Sequence, residues 1–346
     1  MSLQIIWYVL VGVLFTGYAV LDGFDLGVGV LSPLLARTEE ERTTLRSSIG
    51  PFWDGNEVWL LAAGGTLFCA FPAVYAASFS GLYLPLMMVL WLLILRGISI
   101  EFRNHGRTRA GKLLGDSVFA VASALLAILL GAALGNVLRG VPLNASGSFF
   151  LPLWTNFQPW GEVGVLDWYT VVVGLLAFFA LAQHGALWVA LKTETPLEER
   201  AQSIAAVLWP CVAGLTLVVA GLTLRLQPLL SSNLASHRWS WVVPAFALLG
   251  LGAVRGFLAQ RDNLRAFLSS SVYLAAMLAS AGFAIHPYLL PSNLTPHTGL
   301  SFWNAATAHH GLRVALAWWI PGMLLVLGYF TFVYRHFRGK VRADGY

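Results

Sequence analysis

The sequence predicts an all-α polytopic membrane protein with nine transmembrane helices. Of its 346 residues, 58% are hydrophobic and only 11% are charged, whereas charged residues make up about 25% of a soluble domain. The apolar residues form long stretches, and about 20 of them in a row are enough to cross a bilayer as one helix. The 14 Trp and 34 Gly residues fit such a protein, because aromatic side chains favour membrane interfaces and small residues allow helices to touch.

Each of nine apolar stretches is predicted to form one helix. They span about residues 5–34, 51–71, 76–102, 114–138, 165–191, 204–224, 240–258, 264–286 and 310–337. We expect a single integral membrane domain over residues 1–346, made of two four-helix bundles and one extra helix. The bundles would be parallel pseudo-repeats at about 1–140 and 160–290, because a Glu-Glu-Arg loop followed by a Trp-led segment occurs in each. The last helix would span about 310–337.

The positions of Lys and Arg predict the orientation of the helices. Arg139, Arg225 and Arg238 lie in segments that follow even-numbered helices, and Arg96 and Arg313 lie inside helices. The other sixteen follow odd-numbered helices: Arg37, Arg42, Arg46, Arg103, Arg107, Arg109, Lys112, Lys192, Arg200, Arg255, Arg261, Arg265, Arg335, Arg338, Lys340 and Arg342. Since cytoplasmic loops carry the excess of Lys and Arg, we expect the N-terminus outside and the C-terminus in the cytoplasm.

Several other classes of protein are disfavoured by the sequence. The net charge of +5 reflects this loop asymmetry and does not indicate a nucleic-acid partner. Cys69 and Cys211 are too far apart for a metal-ligand motif, and we expect both to be buried, inert thiols. No Lys or Arg precedes Arg37, so the first apolar stretch lacks the positive start of a signal peptide and is predicted to be retained.

Acidic residues lie inside two of the predicted spans. Asp22 and Asp25 are in the first apolar stretch, and Asp54 and Glu57 are near the start of the second. A carboxylate at the centre of a membrane helix costs roughly 2.5–3.5 kcal/mol on insertion scales. Each pair is separated by three residues, which places its members on one helical face. Residues this costly require a functional or structural reason.

The predicted topology places all four acids toward the cytoplasmic side. Arg96 and Glu101, near the end of the third predicted helix, are expected at a similar depth. A functional interpretation is a proton inlet, because burial and a nearby arginine have opposite effects on a carboxyl group. A structural interpretation is also open: acids in the first turn complement a helix dipole, and Asp–Arg pairs hold helices together.

Histidine provides no clear cofactor site in the sequence. Haem iron takes His, Met or Cys as axial ligands, and we find no facing pair of histidines at matched depth. His184, in the middle of the fifth predicted helix, is the weak candidate for a metal ligand. Nucleotide-binding and hydrolase motifs are absent from the sequence.

The motifs around these acids resemble subunit II of cytochrome bd quinol oxidase. The resemblance is carried by Gly23–Gly29, by Trp53-Asp54-Gly55-Asn56-Glu57-Val58-Trp59, and by Arg96-Gly97 with Glu101-Phe102-Arg103. Weaker matches follow at residues 135–142 and 287–292. The nine-helix layout is also similar, so the resemblance covers most of the chain.

The resemblance implies a respiratory function in the bacterial plasma (inner) membrane. The family's complex oxidises quinol, reduces oxygen to water and takes the protons from the cytoplasm. Two haems b and one haem d are on subunit I, the heterodimer partner, so this chain is expected to hold no haem and no catalytic residue. The family's Trp-Asp-Gly-Asn motif contributes to a proton route, which carries over to Trp53 and Asp54.

Other features remain open at this stage. Asp22 and Asp25 match the family's acids in the first helix, whereas roles for Glu57, Arg96 and Glu101 are inferred from their depth. A structural quinone, membrane lipid and small single-helix subunits are possible additional partners. The alternatives are a polytopic secondary transporter, which also keeps acids in its spans, and a purely structural assembly subunit.

Overall fold

A computed structural model describes residues 2–103, 108–236, 238–295 and 298–341, and most of them are helical. The basic residues Arg107 and Arg342 lie outside these ranges. The helices are α1 (Leu3–Leu35), α2 (Glu39–Ile49), α3 (Trp53–Ala70), α4 (Pro72–Gly81), α5 (Tyr83–Phe102), α6 (Arg109–Arg139), α7 (Trp168–Lys192), α8 (Leu197–Leu226), α9 (Pro228–Ser236), α10 (Val242–Ala259), α11 (Asn263–Ile285) and α12 (His309–His336). A short 3-10 helix covers Arg238–Trp241.

Eight of the described helices are long and apolar enough to cross a membrane: α1, α5, α6, α7, α8, α10, α11 and α12. The second predicted helix corresponds to α3, which has 18 residues and is not one of the eight. It begins with the polar stretch that contains Asp54 and Glu57. The fold class is therefore confirmed as helical and membrane-spanning. The count of nine, the two four-helix units, the repeats and the orientation stay predictions.

The connection after α1 contains a helix that the sequence analysis assigned to a loop. Helix α2 has 11 residues and begins at a capping box, in which Thr38 accepts from the Glu41 amide and Glu41 accepts from the Thr38 amide. Three glutamates occupy its first turn, where they complement the helix dipole. The helix is polar and short, so it was missed by a search for apolar stretches.

The third predicted helix, residues 76–102, is wrong as a continuous element. The chain breaks at Leu82, between α4 and α5. Pro85 has no N–H to donate to the Gly81 carbonyl, which favours an interruption at this point. The segment after α11 was also predicted as loop, but it contains an antiparallel hairpin of β1 (Tyr288–Pro291) and β2 (Gly299–Ser301).

Helix α1 is surrounded by other helices over its second half. Every residue from 22 to 29 is buried, and α1 packs against α3, α6, α7 and α11. Gly27 of α1 and Gly185 of α7 bring the two backbones into direct contact, so a Cβ atom on either would overlap the other main chain. This close approach fixes the level at which α1 sits against α7.

The two cysteines differ from the prediction. Both Cys69 and Cys211 are free thiols, as expected, but both are exposed on this chain rather than buried. Apolar stretches of a membrane helix contain lipid-facing positions as well as core positions, so an apolar neighbourhood in the sequence does not imply burial.

Candidate functional site

Four polar side chains from three helices form a cluster with no exposed surface. We call Asp22, Asp25, Asn56 and Arg96 the buried polar cluster, and each has 0% relative exposure. Arg96 donates from Nη1 to Asp22 Oδ2 at 2.8 Å and from Nη2 to Asp22 Oδ1, which makes a bidentate pair. A planar guanidinium fits a carboxylate in this way with high geometric specificity.

Asp25 is satisfied differently from Asp22. Its Oδ2 accepts from Asn56 Nδ2 at 2.7 Å, while its Oδ1 is buried and has no hydrogen-bond partner among the described residues. Asn56 also donates to the Leu21 carbonyl at 3.1 Å and accepts from the Tyr334 hydroxyl at 3.2 Å. The cluster therefore contains one ion pair and one carboxyl held only by an amide.

The helices place these groups together for simple geometric reasons. Asp25 lies ten residues before the end of α1, which corresponds to about 15 Å along the helix axis. Asn56 lies near the start of α3, and Arg96 lies near the end of α5. Because α3 runs opposite to α1, its first turns pack beside the acids, and α5 brings the arginine back to the same level.

Sequence reasoning identified three members of the cluster but missed Asn56. The structure brings Asp22, Asp25 and Arg96, three of the six residues expected at similar depth, into the cluster. Asn56 stood in the motif that carries the family resemblance, and its side chain supplies the contact from α3. Consecutive helical residues point about 100° apart, so Asn56 and Asp54 point in nearly opposite directions.

The remaining predicted residues lie around the cluster rather than in it. Trp53 is half-buried, and its ring lies 3.7 Å from the position of a Cβ on Gly97 of α5. Glu57 is half-buried, and the charges of Arg96, Asp22 and Asp54 act on it. Asp54 and Glu101 are exposed on this chain. The site thus has a closed inner part and an open outer part.

His184, the weak candidate for a metal ligand, has protein partners at both ring nitrogens. The residue is fully buried, its Nε2 donates to the Val20 carbonyl at 3.0 Å, and its Nδ1 lies 2.6 Å from Ser270 Oγ. Both ring nitrogens are therefore engaged by α1 and α11. The described residues contain no group of three or more metal-ligating side chains; His105, His237 and His297 lie outside the described residues.

Near the end of α1, a second set of charged groups joins α2, α5 and α6, and sequence reasoning missed it. Asp116 of α6 accepts from Arg42 Nη1 at 2.9 Å, from Arg103 Nε at 2.9 Å and from Arg46. Glu39 accepts from Arg103 Nη2 at 2.8 Å, and that hydrogen bond holds the pKa of Glu39 below its ordinary value. We call these residues, with Lys112, the arginine network.

A buried ion pair also lies at the other end of α6. Arg139 donates from Nη1 to Asp167 and from Nη2 to Asn136 Oδ1 at 2.7 Å. Asp167 also accepts from the backbone amides of Gly164, Tyr169 and Thr170 at 3.2, 3.0 and 3.1 Å. Asp167 is the N-cap of α7, so this pair closes the connection between α6 and α7.

A family model described as cytochrome bd terminal oxidase subunit II matches residues 3–337. The chain belongs to this family. The resemblance seen in the motifs of α1, α3 and α5 is confirmed. As a subunit II chain it is part of a respiratory terminal oxidase that contains haem, and it is a multi-pass protein of the bacterial inner membrane.

Individual relatives match along nearly their whole length. Cytochrome bd-I ubiquinol oxidase subunit 2 of Escherichia coli strain K12 is 32% identical over 370 residues, covering 99% of this chain and 96% of that protein. Cytochrome bd ubiquinol oxidase subunit 2 of Bacillus subtilis is 30% identical over 344 residues, covering 98% and 97%. The probable cytochrome oxidase subunit 2 of Haemophilus influenzae is 29% identical over 376 residues, covering 99% of this chain and 96% of that protein.

A solved structure agrees with the fold. A chain of the bd oxidase from Geobacillus thermodenitrificans superimposes with a TM-score of 0.76 at 21% identity, covering 97% of this subunit II chain and 99% of that chain. At this identity the comparison supports the architecture alone. The fold of the chain thus agrees with the family assignment.

Proposed function

We propose that this chain partners a haem-bearing subunit I in a quinol:oxygen oxidoreductase and conducts protons from the cytoplasm toward it. The observation that carries the proposal is the buried polar cluster, in which two carboxyl groups and a single guanidinium, paired with Asp22, are enclosed away from solvent. With Asp22 paired to Arg96, a proton on Asp25 makes the cluster electrically neutral. An uncompensated buried charge is costly, so proton exchange at Asp25 is coupled to the groups around it.

The outer part of the site supplies an entrance for the route. Asp54 is exposed and Glu57 half-buried on α3, and Glu101 is exposed at the end of α5. The charge interactions of Glu57 reach both Asp54 and Arg96. We infer that protons pass from Asp54 and Glu101 through Glu57 to Asp25, with Trp53 fixing the start of α3 against α5 and Arg96 setting the charge of the cluster.

The haems, two of type b and one of type d, would belong to subunit I under this proposal. Support comes from His184, whose ring nitrogens both have protein partners. The test is the optical spectrum of the purified chain with and without its co-purifying partner. Haem bands that remain in the isolated chain would contradict this placement.

The proton route is tested by replacing Asp25 with Asn in the assembled oxidase. The amide keeps the volume and the hydrogen bond to Asn56 but does not carry a proton. We expect oxygen consumption to fall by about tenfold or more, since positioned proton-transfer groups contribute roughly 10²–10⁴-fold to rates. Haem spectra of the purified complex report assembly.

Asp262→Asn is the matched control. Asp262 is an aspartate that caps the N-terminus of α11, far from the cluster in the chain. Full oxygen consumption by Asp25→Asn with normal haem content would refute the route. Loss of all haem signals in Asp25→Asn, but not in the control, would favour the purely structural subunit. A secondary transporter would instead show substrate uptake by this chain alone in proteoliposomes.

A further inference from the structure

A cavity of about 180 Å³ opens beside the end of α1, between α2 and the start of α6. Its polar lining includes Arg42, Arg46, Asp116 and Ser117, and its apolar lining includes Leu113 and Phe119. The cavity borders the arginine network but not the buried polar cluster. The proposed proton route therefore does not use it.

The walls of the cavity carry more positive than negative charge. The charged residues that line the cavity are Arg42, Arg46 and Asp116, which leaves an excess of one positive charge. Burial is the main reason that the pKa of Arg46 is lowered to about 10; the charges of Arg103 and Arg42 also lower it, whereas those of Asp116 and Glu39 raise it. A further anion would relieve this repulsion.

Arg42 has donors available for such an anion. Its side chain is 31% exposed, and its one hydrogen bond among the described residues runs from Nη1 to Asp116. The guanidinium has five N–H donors in a planar fork that matches a phosphate group. Ser117 is exposed at the cavity wall, where its hydroxyl donates to the Leu113 carbonyl at 2.9 Å, so the donors that face the cavity come from the arginines.

The surface of α6 that leads away from the cavity is apolar and uncovered. Leu114 is 66% exposed, Val121 56% and Leu125 44%, and their spacing puts them along one face of the helix. A ligand that fits both the basic cavity and the apolar face of α6 has an anionic phosphate headgroup and hydrocarbon chains. Basic pockets between membrane helices are known to suit such headgroups.

We propose that this cavity binds the headgroup phosphate of an anionic phospholipid, whose acyl chains lie along α6. Arg42 and Arg46 contact the phosphate, Ser117 lies at its edge, and the chains cover Leu114, Val121 and Leu125. The bound lipid would join α1, α2 and α6 at the end of the bundle where the arginine network lies. Binding at this site is measured as lipid retention, whereas the proton route is tested by oxygen consumption. The two proposals can therefore fail separately.

The test measures lipid binding to the purified oxidase complex. The complex is placed in nanodiscs of phosphatidylcholine with increasing phosphatidylglycerol, and retained phosphatidylglycerol is counted by native mass spectrometry. For Arg42→Gln we expect apparent affinity to fall by roughly tenfold, as for loss of a charged hydrogen bond. Arg265→Gln, which removes a basic residue whose side chain is 66% exposed on α11, should leave retention unchanged.

A second variant tests the shape of the cavity separately from its charge. Ser117→Trp fills the cavity from an exposed position without altering any charge, and it should also lower the retention of phosphatidylglycerol. Equal retention in wild type, Arg42→Gln and Ser117→Trp would overturn the proposal, as would equal retention of phosphatidylcholine. If inorganic phosphate alone displaces the lipid at millimolar concentration, the site is a free-phosphate site and the lipid assignment is wrong.

Discussion

The chain buries an aspartate beside an arginine and an asparagine at two places. Near the outer end of α6 by the predicted orientation, Asp167 accepts from Arg139 and from three backbone amides. In the buried polar cluster, Asp25 accepts from Asn56 alone, and the arginine is paired with Asp22. The same residue types therefore give Asp167 several hydrogen-bond donors and Asp25 a single one.

The difference indicates what each site can do. A carboxylate that accepts several hydrogen bonds is held in its charged form and serves as a structural fastening. Asp25 has one amide donor, and the neighbouring Asp22 is the carboxylate paired with Arg96. The proposed proton exchange at Asp25 uses this arrangement. The number of donors around each aspartate, more than its burial, separates the two roles.

The largest effect on assembly is expected from replacing the arginine of the buried polar cluster, compared with replacing the arginine beside Asp167. Arg96→Leu leaves two carboxyl groups buried without a cation, which costs about 3–5 kcal/mol, and we expect almost no assembled oxidase. Arg139→Leu should be milder, because three backbone amides still stabilise Asp167. Haem content of purified membranes measures assembly. The comparison fails if Arg96→Leu assembles as well as Arg139→Leu.

The two aspartates should separate assembly from turnover. Asp167→Asn keeps a capping side chain on α7 but removes the counter-charge of the buried Arg139, so we expect lower stability and a lower yield. The complex that does assemble should consume oxygen at the normal rate per haem. Asp25→Asn should show the reverse, with normal yield and a slow rate. A lower rate of oxygen consumption per haem in Asp167→Asn would contradict the expected difference between Asp167 and Asp25.

The asparagines provide a smaller and closely matched test. Asn56→Leu removes the donor to Asp25, and Asn136→Leu removes the acceptor for Arg139. Each should lower stability by roughly 1–3 kcal/mol, as for a buried group left unsatisfied. Thermal unfolding measures this cost. Only Asn56→Leu should also slow oxygen consumption, so equal rates in the two variants would argue against a route through Asp25.

At the exposed entrance we expect a weaker effect. Asp54→Asn should lower oxygen consumption by about two- to fivefold without loss of haem, since other exposed acids remain nearby and tenfold corresponds to only about 1.4 kcal/mol. The rate is measured at several buffer concentrations, because small buffer acids replace a surface proton donor. Unchanged rates in dilute buffer would remove Asp54 from the route.

The smallest effect concerns the arginine network. The pKa of Glu39 is lowered from its ordinary 4.5 by the hydrogen bond from Arg103. Its ionised form therefore adds stability above pH 4.5, and this is lost as pH falls through the lower folded value. Because Glu39 is half-exposed, Glu39→Gln should lower the unfolding temperature by only about 1–2 °C at pH 7. The difference from wild type should shrink below pH 4; a constant difference would contradict the ionic origin.

The sequence was informative where the free-energy cost of a carboxylate in the membrane and the spacing of the acids pointed to the same residues. Acids three residues apart in an apolar stretch pointed to Asp22 and Asp25, and topology placed Arg96 at their level before any contact was known. The helical membrane fold was equally accessible, because bilayer thickness sets the length of an apolar stretch. These inferences use only the spacing of residues and the length of apolar stretches, which are read directly from a sequence.

Other features depend on contacts between segments that are distant in the chain. Asn56 differs from Asp54 by two positions, and only the packing of α3 against α1 determines which of them is buried. Helix α2 and Asp116 were missed because polar helices give no apolar signal and because the three arginines around Asp116 come from two other helices. The exposure of Cys69 and Cys211 likewise depends on which face of a helix meets its neighbours.

The contact between Gly27 and Gly185 has a consequence for how the molecule can move. With no side chains between the two main chains, there is no deformable layer on which α1 could slide past α7. A transport cycle moves whole groups of helices by several ångströms, and here such a displacement would press backbone against backbone. A proton hop shifts a hydrogen between neighbouring atoms and leaves the helices in place. Asp25, two residues from Gly27, therefore lies on a segment held close against α7, which is compatible with the proposed proton route and would hinder the helix movements of a transporter.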